Sequence, residues 1–172
     1  MNYPIPKQNY LSPKAEIRPA TIHGKGIFAK EPIKAGETVM IRWWDGYTDK
    51  AWAEQAQKEW RLVMQRDDDV FSIEDRGDDN GYFVNHSCDG NLWMTDAFTL
   101  TARRDINKDE EITADYALWE WDENKISKWE CRCGSKHCRK RFTGKDYQLK
   151  EVQQRYADHF SPLINKRIAS KK

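Results

Sequence analysis

Cysteine is scarce in this chain, four in 172 residues, and three of the four fall within one eight-residue stretch. So sparse and uneven a supply does not suit a disulfide-stapled secreted scaffold. It fits reduced thiols in a cytoplasmic protein, or a nuclear one in a eukaryote. Long apolar runs are also missing: nothing approaches the roughly 20 residues of a membrane span, and Met1 to Lys14 has no stretch of signal-peptide kind. A membrane partner and a secreted protein are therefore not expected. Net charge is nearly absent too, with 29 basic against 28 acidic residues. That balance gives no sign of a generic polyanion binder, so nucleic acid is not expected as a direct ligand. Internal repeats and low-complexity segments are lacking as well.

Aromatics, by contrast, are plentiful: eight Trp, seven Tyr and six Phe. Most belong in a core, but an excess with polar tips also suits a pocket for something flat or cationic. The length suits one domain with a real core. Met1 to Pro13, with three prolines, reads as an irregular arm. Glu16-Ile17-Arg18 reads as a strand, and Thr21 to Ala29 as a turn leading into another. Within that turn, the glycines of Gly24-Lys25-Gly26 let the backbone bend sharply or approach a ligand.

Lys34 to Glu37 predicts a turn before a strand from Thr38 to Trp43. From Asp49, read as a cap, Trp52, Ala56, Trp60 and Val63 recur at helical spacing through about residue 65. Short strands follow at Val70 to Ile73, Leu92 to Thr95, Phe98 to Arg103 and from Ile112. Tyr147, Val152, Tyr156 and Phe160 share a helical face from Asp146 on; Pro162 ends or kinks it before a second short helix over Leu163 to Ile168. Many short strands and few helices imply a mainly β fold of small sheets.

Two motifs carry chemistry. Cys131-x-Cys133-x4-Cys138 brings three thiols together, and Asn85-His86-Ser87-Cys88 holds the fourth. Zinc takes four tetrahedral ligands, so three plus one predicts a closed structural site that pins the later segment against the Asn-His turn. Free buried thiols and a disulfide remain open, and His137 and His86 compete as ligands. A zinc ribbon for nucleic acid is suggested by the basic residues around the cysteines, but it leaves the other motifs unused. His86 with Cys88 also imitates a nucleophilic pair, without an evident third group to orient it.

Gly24-Lys25-Gly26, Asn85-His86-Ser87-Cys88 and Glu110-Glu111-Ile112-Thr113-Ala114-Asp115-Tyr116 come in the order and style of SET-domain protein lysine methyltransferases. The cysteine cluster after them resembles that family's post-SET zinc segment, and the likeness covers roughly residues 14 to 142. It implies a SET fold of several small curved sheets with a knot-like threading, an inserted helix at about 49–65 and a C-terminal helical extension. The expected division is 14–125 SET domain, 126–142 post-SET segment and 143–172 extension.

For function, the resemblance implies methyl transfer from S-adenosylmethionine to a lysine of a protein or peptide, histone-like for instance. Tyr116 is the catalytic residue it implies. Lys25, Gly26, Tyr82, Asn85, His86, Tyr116 and Trp129 would hold the cofactor; Tyr82, Ala114 and Trp119 would line the substrate channel, with Trp43 and Trp129 as further candidates. One structural zinc would sit on Cys88, Cys131, Cys133 and Cys138. The acids Asp67 to Asp69, Glu74, Asp75, Asp78 and Asp79 suggest attraction of a basic peptide. The chain departs from the family pattern at Tyr82, where an arginine is common, at Gly90, where proline is common, and at Lys140, where glycine is usual. The rival reading is a non-catalytic SET-like module with zinc that binds a peptide or nucleic acid.

Overall fold

The computed structural model describes residues 8–42, 47–48, 50–59, 62–68, 70–74 and 83–171. Its strands are β1 Tyr10–Leu11, β2 Ala15–Pro19, β3 Lys25–Ala29, β4 Thr38–Ile41, β5 Tyr47–Thr48, β6 Leu62–Asp67, β7 Val70–Glu74, β8 Asn85–His86, β9 Leu92–Met94, β10 Thr99–Ala102 and β11 Glu111–Ala114. They form three sheets, in the orders β1-β4-β10-β9, β2-β3-β11-β8 and β5-β7-β6. The mainly β expectation is met. The arm does not stay irregular, because Tyr10 and Leu11 pair with Ile41 and Met40.

In β3, Gly26, Ile27 and Ala29 are buried while Lys25 points out, and Gly24 turns the chain before it at φ 46°. Ile27, Ile33, Val39, Met40, Leu92, Leu100, Ile106 and Ile112 make one apolar cluster. Each such side chain contributes about 1.5–3 kcal/mol on burial. Tyr147, Val152, Tyr156, Phe160 and Ile164 join the same cluster, so the C-terminal segment completes the main core. The helix expected from Asp146 is divided into a 3-10 turn at Asp146–Gln148 and α2 at Lys150–Tyr156, and the second helix, expected over Leu163 to Ile168, is α3 at Pro162–Ser170. Pro162 sits where a missing N–H costs nothing, and the Ser161 hydroxyl accepts from the Ile164 N–H at 3.3 Å.

The inserted helix is shorter than its periodicity predicted. α1 covers Lys50–Lys58, and Val63, assigned above to that helix, lies in β6 opposite Ile73. Ala53 and Ala56 form its buried stripe, packed with Val63 and Phe71, while Trp52 is exposed. Trp43, Asp49, Trp60 and Tyr82 lie outside the described residues. Asp69, Asp75, Asp78 and Asp79 do too, but Glu74 ends β7 and Asp67 and Asp68 are described, and Lys166 pairs with both of the latter. No helix of the described residues is long and apolar enough to cross a membrane.

β11 organises the site. It runs antiparallel to β3 and parallel to β8, so Thr113 meets Asn85 and Ala114 meets His86. The Asn91 side chain extends this pairing: its oxygen accepts from Thr113 N–H at 2.9 Å, and its amide donates to the Glu111 carbonyl at 2.8 Å. Gly90 lies so close that a Cβ there would fall 2.6 Å from Ala114 Cα. The departure from proline at this position thus coincides with backbone running against backbone.

Candidate functional site

The parallel β8–β11 pair places two groups of side chains on either side of it. On one, the Asn85 amide donates to the His23 carbonyl at 3.2 Å, the Lys25 carbonyl at 3.0 Å and Glu111 Oε1 at 2.7 Å. Lys25 and Gly26 are thereby brought to Asn85, with the amide bracing the glycine loop. A Cβ on Gly26 would lie 2.4 Å from Glu111 Oε1 and 3.0 Å from the Asn85 nitrogen. The same Cβ would lie 2.9 Å from Ala20 Cβ, which favours glycine there.

On the other side, β11 ends at Ala114, Asp115 stays extended, and Tyr116 opens a 3-10 turn over Tyr116–Leu118. The Tyr116 hydroxyl donates to the Val84 carbonyl at 2.9 Å. Around its ring stand His86 at 5.1 Å, Trp119 at 5.5 Å, Phe142 at 5.8 Å and Trp129 at 6.4 Å between centroids. Such tilted and edge-on contacts hold a ring in one attitude. Trp129 is 44% exposed and stands at the rim, whereas Phe142 is buried. Ala114 is wholly buried within the main core.

His86 links this aromatic group to the thiols. Its Nδ1 accepts from the Tyr116 backbone N–H at 3.2 Å, so a neutral ring carries its proton on Nε2, which lies 3.3 Å from Cys88 Sγ. Burial lowers the His86 pKa to about 4 against the opposing pull of Asp115, so the ring is neutral at pH 7. Burial also pushes the Cys88 thiol up to about 11. A nucleophilic pair needs a lowered thiol pKa and an acceptor orienting the far ring nitrogen. This pair has neither.

The sulfur atoms of Cys88, Cys131, Cys133 and Cys138 lie within 4.8 Å of one another, and all four cysteines are free. Cys88 and Cys131 are 3.8 Å apart, far beyond a disulfide bond but close to the ~3.8 Å edge of a tetrahedron with 2.3 Å zinc–sulfur bonds. The cluster is thus compatible with a zinc site. Burial raises the Cys131 pKa as well; burial opposes ionisation of Cys133 too, but hydrogen bonds led by the Ser135 backbone bring it down to about 7. The Arg139 N–H donates to Cys88 Sγ at 3.3 Å, an outer contact that suits a metal-bound thiolate.

Arg139 itself escaped the sequence reading as a structural group. Its guanidinium makes two hydrogen bonds to Asp115, at 2.8 and 2.6 Å, and one to Asp146 at 2.7 Å. Burial works against its charge, yet Asp115 outweighs that and drives its pKa up. Asp115 is wholly buried and also accepts from the Ala117 N–H at 3.0 Å, capping the turn that carries Tyr116. Lys140, the next residue, adopts φ 65°, a left-handed conformation that accounts for glycine being usual there in the resembled family.

A family profile described as the SET domain matches residues 24–117, more than half of the chain. The chain belongs to the SET-domain family. Among curated relatives, this SET-domain chain is 33% identical to human histone-lysine N-methyltransferase 2B over 70% of its length. It is 31% identical to histone-lysine N-methyltransferase trithorax of Drosophila virilis over 81%, and 30% identical to histone-lysine N-methyltransferase ASHH3 of Arabidopsis thaliana over 69%. It spans only 5%, 4% and 35% of those proteins, respectively.

Of the expected site residues, Lys25, Gly26 and Asn85 adjoin one another, as do His86, Tyr116, Trp119 and Trp129, and the four thiols cluster beside His86. Phe142 joins the aromatic group around Tyr116, and Arg139 binds the adjoining Asp115. Their only advance signal was their place just after the last cysteine.

Proposed function

We propose that this chain is a protein-lysine N-methyltransferase that uses S-adenosylmethionine, with Tyr116 at the transfer point. The observation that carries this reading is the Tyr116 hydroxyl, anchored on Val84 inside an aromatic enclosure beside Asn85-His86. S-adenosylmethionine, when bound, supplies an electrophilic methyl on a sulfonium. Lys25, Gly26, Asn85, His86 and Trp129 are the residues to hold it. A phenol that donates to a carbonyl still accepts through its oxygen, so Tyr116 presents an acceptor that orients a lysine amine.

The amine must be neutral to attack. With a reference pKa near 10.4, deprotonation at pH 7 costs roughly 4.6 kcal/mol. An apolar channel of aromatic walls lowers a lysine pKa by desolvation, so no carboxylate base is required. The relatives' names support a histone as substrate and, in a eukaryote, work in the nucleus. The test is to incubate the chain with labelled S-adenosylmethionine and core histones. Label on lysine supports the reading; cofactor binding by calorimetry without any transfer would favour the non-catalytic module.

We further assign one zinc ion to the four cysteines. Cys88→Ser is expected to lower bound zinc from one equivalent to well below one and to reduce activity in parallel, because the remaining thiols all lie on the other segment. Elemental analysis of protein purified without chelator checks this; full zinc occupancy in the variant overturns it.

Ala114 governs how many methyl groups are added. In the resembled family a Phe or Tyr is common there, and alanine supplies neither ring nor hydroxyl to crowd a methylated amine. Products beyond monomethyl-lysine are expected in a mass time course, with Ala114→Tyr stopping earlier. Since Ala114 is wholly buried, the tyrosine overpacks by about 1–3 kcal/mol, and rates are compared per folded molecule. Wild type halting at one methyl would remove this role.

A further inference from the structure

Charge is nearly balanced over the whole chain, yet it is strongly segregated. Residues 125–145 hold eight of the 29 basic residues, Lys125, Lys128, Arg132, Lys136, Arg139, Lys140, Arg141 and Lys145, but only one of the 28 acids, Glu130. Arg139 is buried and committed to Asp115 and Asp146. The other seven are all exposed. Among the described residues none of the seven forms an ion pair; Lys125 feels the charge of Glu120 without pairing with it. Elsewhere exposed cations do find acids, as Lys34 does with Asp105 and Lys166 with Asp67 and Asp68.

The backbone draws together the two segments that carry or adjoin these cations. Residues 125–131 and 140–144 run antiparallel: Gly144 N–H donates to Lys125 O at 2.9 Å, Ser127 N–H to Phe142 O at 2.9 Å, and Cys131 N–H to Lys140 O at 2.6 Å. Ile126 and Thr143 form the bridge between them. Arg132 therefore follows the Cys131–Lys140 pair, and Lys125 lies across from Gly144 and Lys145. Lys125 and Lys145 line one shallow depression with Ile126, Thr143, Asn124 and Glu123. Glu123 is already engaged by the Tyr147 hydroxyl and by Lys171. The four thiols fasten the intervening loop, and the two net negative charges of a tetrathiolate zinc would leave the strip positive.

We propose that this strip binds the phosphate backbone of double-stranded nucleic acid without reading its sequence. A lysine-rich methyl acceptor would be repelled here, so the strip is not a substrate groove. Seven unpaired cations on so short a platform are matched by an equally dense polyanion, and duplex nucleic acid offers one charge per ~1.7 Å of axis. An acidic protein would have to hold many mutually repelling carboxylates to match it. The proposal does not depend on methyl transfer, so each stands or falls on its own measurement.

The test is anisotropy with a labelled mixed-sequence 24-base-pair DNA duplex between 50 and 200 mM salt, using the zinc-containing chain. Saturable binding is expected, with log affinity falling against log salt at a slope of roughly −4, about four phosphates neutralised. Lys128→Glu, Arg132→Glu and Lys136→Glu together are expected to weaken binding at least tenfold and flatten the slope, with zinc content and circular dichroism unchanged. Lys30→Glu, Lys58→Glu and Lys108→Glu, exposed residues outside the strip, are expected to change it less than threefold. Three results would overturn the proposal: no saturation at 50 mM salt, equal losses in both triple variants, or polyglutamate competing as well as unlabelled duplex. The last assigns the strip to an acidic protein.

Discussion

Tyr116→Phe is expected to lower the proposed methyl transfer about a hundredfold or more, while leaving folding and S-adenosylmethionine binding unchanged. The substitution removes one oxygen and leaves the ring among His86, Trp119, Trp129 and Phe142. What is lost is the bond to Val84 and the acceptor that this bond aims. One oriented contact of this kind is worth a few kcal/mol in a transition state, and each ~1.4 kcal/mol is tenfold in rate. Single-turnover assays at saturating cofactor, beside calorimetric binding, separate the chemical step from affinity. A variant within a few-fold of wild type removes Tyr116 from the mechanism.

The second large effect is on stability. Arg139→Ala strips the wholly buried Asp115 of both guanidinium bonds and takes the partner from Asp146. Removing one member of a buried pair costs about 3–5 kcal/mol, because the charge left behind is out of water and has no opposite charge beside it. Urea unfolding of the zinc-containing protein measures the loss. Asp115→Asn combined with Arg139→Ala is expected to lose less than the two single variants summed, since neither charge is then stranded. A loss below about 1 kcal/mol in Arg139→Ala would show that water already solvates the pair.

What the sequence disclosed and what it hid divide along the reach of the forces involved. The strand at Ala15–Pro19, the turn at Gly24 and the helix break at Pro162 rest on neighbouring residues, and their patterns show locally. Val63 misled because its spacing from Ala56 suits a helix, while its partner, Ile73, is a strand away. The four cysteines were legible because zinc chemistry demands a fourth ligand and Cys88 was the one left. Asn91 serving as a substitute strand, and Arg139 reaching back to Asp115, could not be read: such pairings depend on which chain segments lie adjacent, and no local pattern encodes that.

The C-terminal helices bear on how the chain is made. The Ser161 N–H bonds the Leu118 carbonyl at 2.7 Å, the Met94 N–H bonds the His159 carbonyl at 3.0 Å, and Arg155 holds the Cys88 carbonyl at 2.9 Å. Every described strand has been synthesised by Ala114, yet the apolar face that receives Tyr156, Phe160 and Ile164 stays wet until those residues emerge. At roughly 5–20 residues per second, the stretch from Leu118 to Ile164 takes the ribosome about 2–9 s. For those seconds a nascent chain displays a half-finished core, the kind of surface that chaperones grip and that neighbouring nascent chains adhere to.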